Sequence, residues 1–146
     1  MSNETEQLAQ FALQIRRDVI RMVTNAGAGH PGGALGAAEI FAVLYGHDMN
    51  HGPDKLDDPD RDHLILSNGH ICAGWYAALA RTGYMDPQVL ATHRKMGSRL
   101  QGHPSREKWP GVVENSSGPL GQGTSVANGL AMALRLSGSK GRVYCI

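Results

Sequence analysis

His30 and His103 each stand between a glycine and a proline, and His70 follows a glycine just after a short apolar run. Proline biases the preceding residue toward an extended conformation, and glycine adds no side chain that could fill the space beside an imidazole. A neutral imidazole can exchange protons with hydroxyl groups near pH 7. The pattern therefore predicts three loop histidines that converge on a polar small-molecule site. Metal binding is the alternative, but the spacing matches no zinc pattern.

The stretch from Ala26 to Gly36 surrounds His30 and contains five of the chain's 19 glycines. Gly27, Gly29 and Gly32 spell the G-x-G-x-x-G pattern of dinucleotide-binding domains. That pattern works only between a strand and a helix, and a periodic helix precedes it here. We therefore reject it as a dinucleotide signal. Taken alone, the stretch could also be a flexible turn between two helices.

Hydrophobic periodicity predicts the elements that position these histidines. Residues 63–67, His-Leu-Ile-Leu-Ser, are typical of a buried parallel strand, and residues 142–146 resemble a second one. His70 follows the carboxyl end of the first strand, which is where open α/β sheets bind ligands. Helices are predicted over residues 5–24, 37–45, 71–80, 86–95 and 125–136.

The segment 115–124, Asn-Ser-Ser-Gly-Pro-Leu-Gly-Gln-Gly-Thr, leads into the last predicted helix. The first backbone N–H groups of a helix and its positive dipole end together bind phosphate well. Leu120 is the bulky residue of this turn and could face an aromatic ring of a cofactor. The alternative is an ordinary loop and helix start.

The composition excludes several classes of function. Fourteen basic and thirteen acidic residues leave a formal charge of +1, so neither nucleic acid nor a membrane surface is indicated as a partner. We find no apolar run typical of a signal peptide or a membrane span. Cys72 and Cys145 lack metal-type spacing and are expected to be reduced, buried thiols, which favours a cytoplasmic location. His47 and His51 are interpreted as solvated loop residues.

Four motifs in sequence order resemble the N-terminal part of transketolase, over about Leu8 to Ile146. They are Gly29-His30-Pro31-Gly32, Asp62 through Ser67-Asn68-Gly69-His70, Gly102-His103-Pro104, and Gly118-Pro119-Leu120-Gly121-Gln122-Gly123. The resemblance implies an α/β thiamine-diphosphate-binding fold with a mostly parallel sheet and helices on both faces. It also implies that residues 1–146 are the N-terminal part of the domain that holds the cofactor's diphosphate. We expect that domain to be incomplete at the C-terminus, because the sequence stops in the second predicted strand.

The resemblance further implies roles for individual residues. His30 and His103 would be the catalytic residues, which hydrogen-bond the hydroxyls of a sugar and assist proton transfer. The implied cofactor contacts are His70, Gly118, Pro119 and Leu120. The family's magnesium motif, Gly-Asp-Gly with a downstream Asn, is expected after Ile146, so no metal ligand is assigned within the chain.

The implied activity is transfer of a two-carbon ketol unit from a ketose or ketose phosphate to an aldose or aldose phosphate, with thiamine diphosphate and Mg²⁺. The implied assembly is a homodimer, or a complex with a C-terminal transketolase subunit. Two alternatives stay open: an enzyme like deoxyxylulose-phosphate synthase, or a non-catalytic fragment that acts only in subunit association. His93-Arg94-Lys95, and Ser105 after Gly-His-Pro, differ from common full-length forms and leave a divergent substrate open.

Overall fold

The computed structural model describes residues 3–146, which form an α/β fold with a two-stranded parallel sheet. The α-helices are α1 (Asn3–Ala26), α2 (Pro31–Gly36), α3 (Ala38–Val43), α4 (Cys72–Arg81) and α5 (Gln122–Ser137). The strands are β1 (His63–Ile65) and β2 (Val143–Cys145). Short 3₁₀ turns span Pro53–Lys55, Gly69–Ile71 and Pro87–Thr92, and a π-helical turn spans Leu44–Asp48. No helix in residues 3–146 is long and apolar enough to cross a membrane.

All but one of the predicted helices and strands are present, and several bounds differ. The predicted helix over residues 86–95 is instead the 3₁₀ turn Pro87–Thr92. The glycine-rich stretch, predicted as a loop, becomes helical at Pro31. Proline suits the first helical position because its φ angle is already helical and its missing N–H would have no partner there. The helix predicted to end at Tyr45 continues as a π-helical turn through Asp48.

Helix α4 lies at the centre of the core, and α1 packs against it with one apolar stripe. Residues 72–80 of α4 are all buried, as expected for a helix that is apolar around its whole circumference. The stripe on α1 repeats every three or four residues, in agreement with the predicted periodicity. Its buried apolar members are Ala12, Ile15, Val19 and Met22.

The two strands pair in parallel, with Leu64 opposite Tyr144 and Ile65 opposite Cys145. Leu64 and Leu66 belong to the main core, so Ile65 between them points to the opposite face. Helix α5 packs against both strands. Helices therefore flank the sheet, and the expected α/β fold is confirmed. Cys72 is buried as expected, but Cys145 is exposed, which corrects the prediction that both thiols are buried.

The carboxylate of Asp62 joins the starts of both strands to the preceding connector. Its side chain is only 3% exposed, and its two oxygens accept from the backbone N–H groups of Arg142 (2.7 Å) and Asn50 (2.9 Å). The guanidinium of Arg142 donates to the same carboxylate at 2.9 Å. Burial acts to raise the pKa of Asp62, but these donors together hold it below its usual value.

Replacing Asp62 with Asn tests this carboxylate. We expect the free energy of unfolding at pH 7 to fall by about 2 kcal/mol, because the donors lose a charged acceptor. In the wild type, the contribution of Asp62 is fully present above its unfolded pKa of about 4 and is lost as the pH falls through the lower folded pKa. Urea unfolding between pH 7 and pH 3 measures both effects.

The matched control is Asp57→Asn, since Asp57 is exposed in the same connector. It should leave the urea midpoint unchanged at every pH. Equal stability of Asp62→Asn and the wild type at pH 7 would contradict the role given to Asp62.

Candidate active site

The structure brings His30, His70 and His103 together. The ring centroids of His30 and His70 are 4.8 Å apart, those of His70 and His103 are 4.6 Å apart, and those of His30 and His103 are 5.7 Å apart. His30 is exposed, whereas His70 and His103 are half-buried. The predicted convergence of these side chains is therefore a feature of the fold.

Different elements place each imidazole. His30 immediately precedes α2 and has φ −122° and ψ 75°, outside the helical region. His70 lies in the 3₁₀ turn beyond β1, where pairing of the strands extends to Asn68, whose N–H donates to the carbonyl of Ile146 (2.9 Å). The loop of His103 is held by Ser117, whose N–H donates to the carbonyl of Pro104 (3.1 Å).

A cleft of about 390 Å³ opens beside two of these histidines. We call it the histidine cleft, and it is lined by His30, Arg94, Gln101, Gly102 and His103. No carboxylate of residues 3–146 belongs to this lining. Burial lowers the pKa of His103 below 6.5, and the charges of His70, His30 and Arg94 lower it further. The lowered pKa favours the neutral imidazole of His103, which can accept a proton.

Three polar atoms next to His70 are buried without a hydrogen-bond partner among residues 3–146. They are Asn68 Oδ1, His70 Nδ1 and Ser117 Oγ. Buried polar groups are nearly always hydrogen-bonded in native proteins, so this group of atoms is suited to a polar ligand. An imidazole and a hydroxyl can both donate to phosphate oxygens. Gly118, Pro119 and Leu120 follow Ser117 directly, and Leu120 is 68% exposed.

The start of α5 differs in part from the expected phosphate site. The N–H of Gly123 donates to Ser67 Oγ (3.1 Å), and the N–H of Thr124 donates to the carbonyl of Gly121 (3.2 Å). Two of the first helical donors are therefore already used. A side chain at Gly123 would meet the backbone of Ser67 at 2.6 Å, so glycine is required for α5 to approach β1 this closely. Sequence reasoning missed this role of Ser67.

Two other histidines lie outside this site. His51 was predicted to be solvated, and this is wrong: its ring nitrogens lie 3.1 Å from the hydroxyl of Tyr84 and 2.8 Å from the carbonyl of Tyr45. His47 is exposed, with Nδ1 2.8 Å from a carboxylate oxygen of Glu4. Within residues 3–146, no three His, Cys, Asp or Glu side chains are arranged to hold a metal ion.

Sequence reasoning also missed Arg94 and Gln101 as lining residues of the histidine cleft. Arg94 was noted only as a departure from common forms. Gln101 lies two residues before His103, and this adjacency is the one signal that could have indicated its position.

Within residues 3–146, the α/β fold places three clustered imidazoles and polar atoms without a hydrogen-bond partner beyond the carboxyl end of a parallel strand, as in a domain that binds a polar small molecule. Comparison with known proteins gives the family. The family model described as "Transketolase, thiamine diphosphate binding domain" matches residues 8–140. The chain belongs to this family, and the resemblance seen in the sequence is confirmed.

Individual relatives with similar sequences carry transketolase names as well. The chain is 41% identical over 142 residues to an apulose-4-phosphate transketolase subunit of Actinobacillus succinogenes, in a match that covers 97% of this chain and 51% of the relative. It is 35% identical over 146 residues to the 6-deoxy-6-sulfo-D-fructose transketolase subunit SqwG of a Clostridium species, covering 100% of this chain and 53% of the relative. The chain thus spans about half the length of these two relatives.

Solved transketolases share the fold. The transketolase of Campylobacter jejuni has a TM-score of 0.87 at 34% identity, over 96% of this chain and 23% of that chain. The transketolase of Leishmania mexicana has a TM-score of 0.81 at 42% identity, over 86% of this chain and 19% of that chain. The architecture is therefore that of the transketolase N-terminal domain.

The lowered pKa of His103 can be measured directly. We expect NMR titration of the intact protein to give His103 a pKa below 6.5, because burial and nearby positive charge disfavour the imidazolium ion. His70→Ala removes one of these charges and should move the pKa of His103 upward. His47→Ala is the control and should leave it unchanged. A wild-type pKa at or above 6.5 would show that the ring is not shielded from water in this way.

Proposed function

We propose that this chain is the cofactor-diphosphate part of a thiamine-diphosphate-dependent transketolase, which transfers a two-carbon ketol unit from a ketose or ketose phosphate to an aldose or aldose phosphate. The observation that carries the proposal is the convergence of His30, His70 and His103 beside one cleft, in a chain of this family. Both named relatives are transketolase subunits, which supports the reaction class.

The residues beside His70 fit the cofactor. Among residues 3–146, His70 Nδ1 and Ser117 Oγ have no hydrogen-bond partner and could bond a diphosphate, and the exposed side chain of Leu120 offers an apolar surface to an aromatic ring. Gly118 and Pro119 connect these two features. When bound, the cofactor supplies an electron sink for cleavage of a carbon–carbon bond. Mg²⁺ is part of the proposal, with its ligands outside residues 1–146.

The histidine cleft would bind the sugar. His30 and His103 are on its wall, where each could hydrogen-bond a hydroxyl of the substrate. Breaking the bond between C2 and C3 of a ketose requires a base for the proton of the C3 hydroxyl. A neutral imidazole suits this task, and the lowered pKa of His103 keeps that ring neutral at working pH.

The assembly is part of the same proposal. Because the chain spans about half of two relatives that are named as subunits, we infer that it works with a second, C-terminal transketolase subunit or as a homodimer. The names of those relatives also favour substrates with a phosphate or sulfonate group. A cytoplasmic location is proposed from the sequence.

Assay of the full-length protein with its partner subunit tests the reaction class. We expect ketol transfer from a ketose phosphate to an aldose phosphate that requires both thiamine diphosphate and Mg²⁺. Pyruvate should not replace the ketose. Turnover with pyruvate alone would indicate a synthase instead, and absence of both turnover and cofactor binding would indicate a non-catalytic association module.

Two histidine variants of the complete enzyme separate substrate from cofactor roles. His30→Ala should lower kcat roughly 100-fold or more through loss of proton transfer, with the Kd for thiamine diphosphate nearly unchanged. His70→Ala should weaken cofactor binding roughly tenfold by loss of a hydrogen bond to a charged group. Steady-state kinetics and calorimetry measure these quantities.

His47→Ala serves as the matched control, because His47 is exposed, contacts Glu4 and does not line the histidine cleft. Wild-type turnover of His30→Ala would contradict the proton-transfer role proposed for His30. Unchanged cofactor affinity of His70→Ala would contradict the cofactor-binding role proposed for His70.

A further inference from the structure

Two side chains of α4 donate to the backbone that leads to His103. Sγ of Cys72 lies 3.2 Å from the carbonyl oxygen of Gly102. The hydroxyl of Tyr76 donates to the carbonyl of Gln101 at 3.2 Å, and the thiol also lies 3.8 Å from that carbonyl oxygen. Residues four apart lie on the same face of a helix, so one face of α4 supplies both donors. Among residues 3–146, no backbone N–H donates to either carbonyl, so these side chains take the place of backbone partners.

Both donors are shielded from water. Cys72 is 2% exposed, and Tyr76 is completely buried. Burial raises the pKa of the Cys72 thiol to about 12, so the sulfur keeps its proton near neutral pH and can donate a hydrogen bond. The ring of Tyr76 packs against that of His93, with centroids 5.9 Å apart, which limits where the hydroxyl can point. A hydrogen bond in such surroundings is stronger than one exposed to water.

The hydrogen bond of Cys72 joins the two segments that carry His70 and His103. The 3₁₀ turn that contains His70 ends at Ile71, and Cys72 is the first residue of α4. Its acceptor, Gly102, directly precedes His103. The ring centroids of the two histidines are 4.6 Å apart. One buried hydrogen bond close to both rings in the sequence therefore limits how far the two imidazoles can separate.

We propose that Cys72 and Tyr76 are positioning residues that fix His103 at its distance from His70. The inference rests on the proposed function, in which His103 takes the proton of a sugar hydroxyl beside the cofactor. A displacement of about 1 Å from the reactive geometry can lower a rate roughly 100-fold, so the bonds that hold this loop affect proton transfer. Neither side chain lines the histidine cleft, so each acts through the backbone of the loop and not on the sugar.

NMR titration of the intact protein tests the positioning role without catalysis. Cys72→Ala removes one donor, Cys72→Ser keeps a donor of similar size, and Tyr76→Phe removes only a hydroxyl. We expect the pKa of His103 to rise toward 6.5 in the Ala and Phe variants, because a looser loop exposes the ring and burial is the main cause of its lowered pKa. Cys72→Ser should keep the wild-type value. The charges that also lower this pKa are present in every variant, and they are those of His70, His30 and Arg94.

The kinetic test uses the complete enzyme with cofactor and partner subunit. Cys72→Ala and Tyr76→Phe should each lower kcat roughly tenfold. The acid limb of the pH profile of kcat/KM should move to higher pH together with the pKa of His103. Cys72→Ser should restore both quantities. Thr82→Val is the matched control, because the hydroxyl of Thr82 donates to the carbonyl of Ala78 (2.9 Å) at the other end of α4, and this variant should change neither quantity.

The outcomes separate this inference from the proposed function. An unchanged pKa of His103 in both Cys72→Ala and Tyr76→Phe overturns the inference even where Tm falls, because the bonds would then contribute to stability alone. An equal rise in Thr82→Val overturns it as well. If Cys72→Ala does not fold, Tyr76→Phe decides, since it keeps the ring in the core. If the wild type has no ketol-transfer activity but the pKa of His103 responds as expected, the proposed function fails and the positioning role stands.

Discussion

The candidate site depends on one buried carboxylate, that of Asp62. By accepting from the backbone N–H groups of Asn50 and Arg142, it fixes the starts of β1 and β2 relative to each other. A parallel pair with a fixed start has a fixed register, and a one-residue slip would turn every side chain to the other face of the sheet. The register then determines where β1 ends, and with it the position of Ser67 below the first turn of α5 and of His70 beyond the sheet.

A second carboxylate holds the segment that carries the proposed cofactor contacts. Glu114 accepts from both His63 and Arg61, each at 2.7 Å. Burial acts to raise the pKa of Glu114, but the hydrogen bond from His63 and the charge of Arg61 outweigh it and lower the pKa. Glu114 lies three residues before Ser117, so this ion pair ties the approach to the Ser117–Leu120 turn to the start of β1. The same short strand therefore positions the turn at one end and His70 at the other.

The sequence predicted the features that follow from local pattern and from the general logic of parallel sheets. His70 could be placed because it follows an apolar run, and the repeated Gly-His-Pro tripeptide indicated that His30 and His103 share a task. Features that depend on distant neighbours could not be predicted. Arg94 has a φ of +60° in a loop that its N–H closes by donating to the carbonyl of Leu100, and His51 is hydrogen-bonded to residues six and 33 positions away. Hydrophobic periodicity contains no information about contacts between residues that are distant in the sequence.

The charged forms of the three imidazoles and the guanidinium of Arg94 repel one another. With centroids 4.6–5.7 Å apart, two imidazolium ions would repel each other by about 3 kcal/mol at an effective dielectric constant of ~20. Positive charge on His70 or His30 therefore disfavours protonation of His103, and the charge of Arg94 adds to this effect. In the proposed reaction, a proton taken from a sugar hydroxyl would be held weakly and would return readily to the substrate. A cleft that kept a carboxylate beside these rings would stabilise the imidazolium ion and lose this property. Within residues 3–146, the lining of the histidine cleft contains no acidic side chain, which supports the proposed proton exchange.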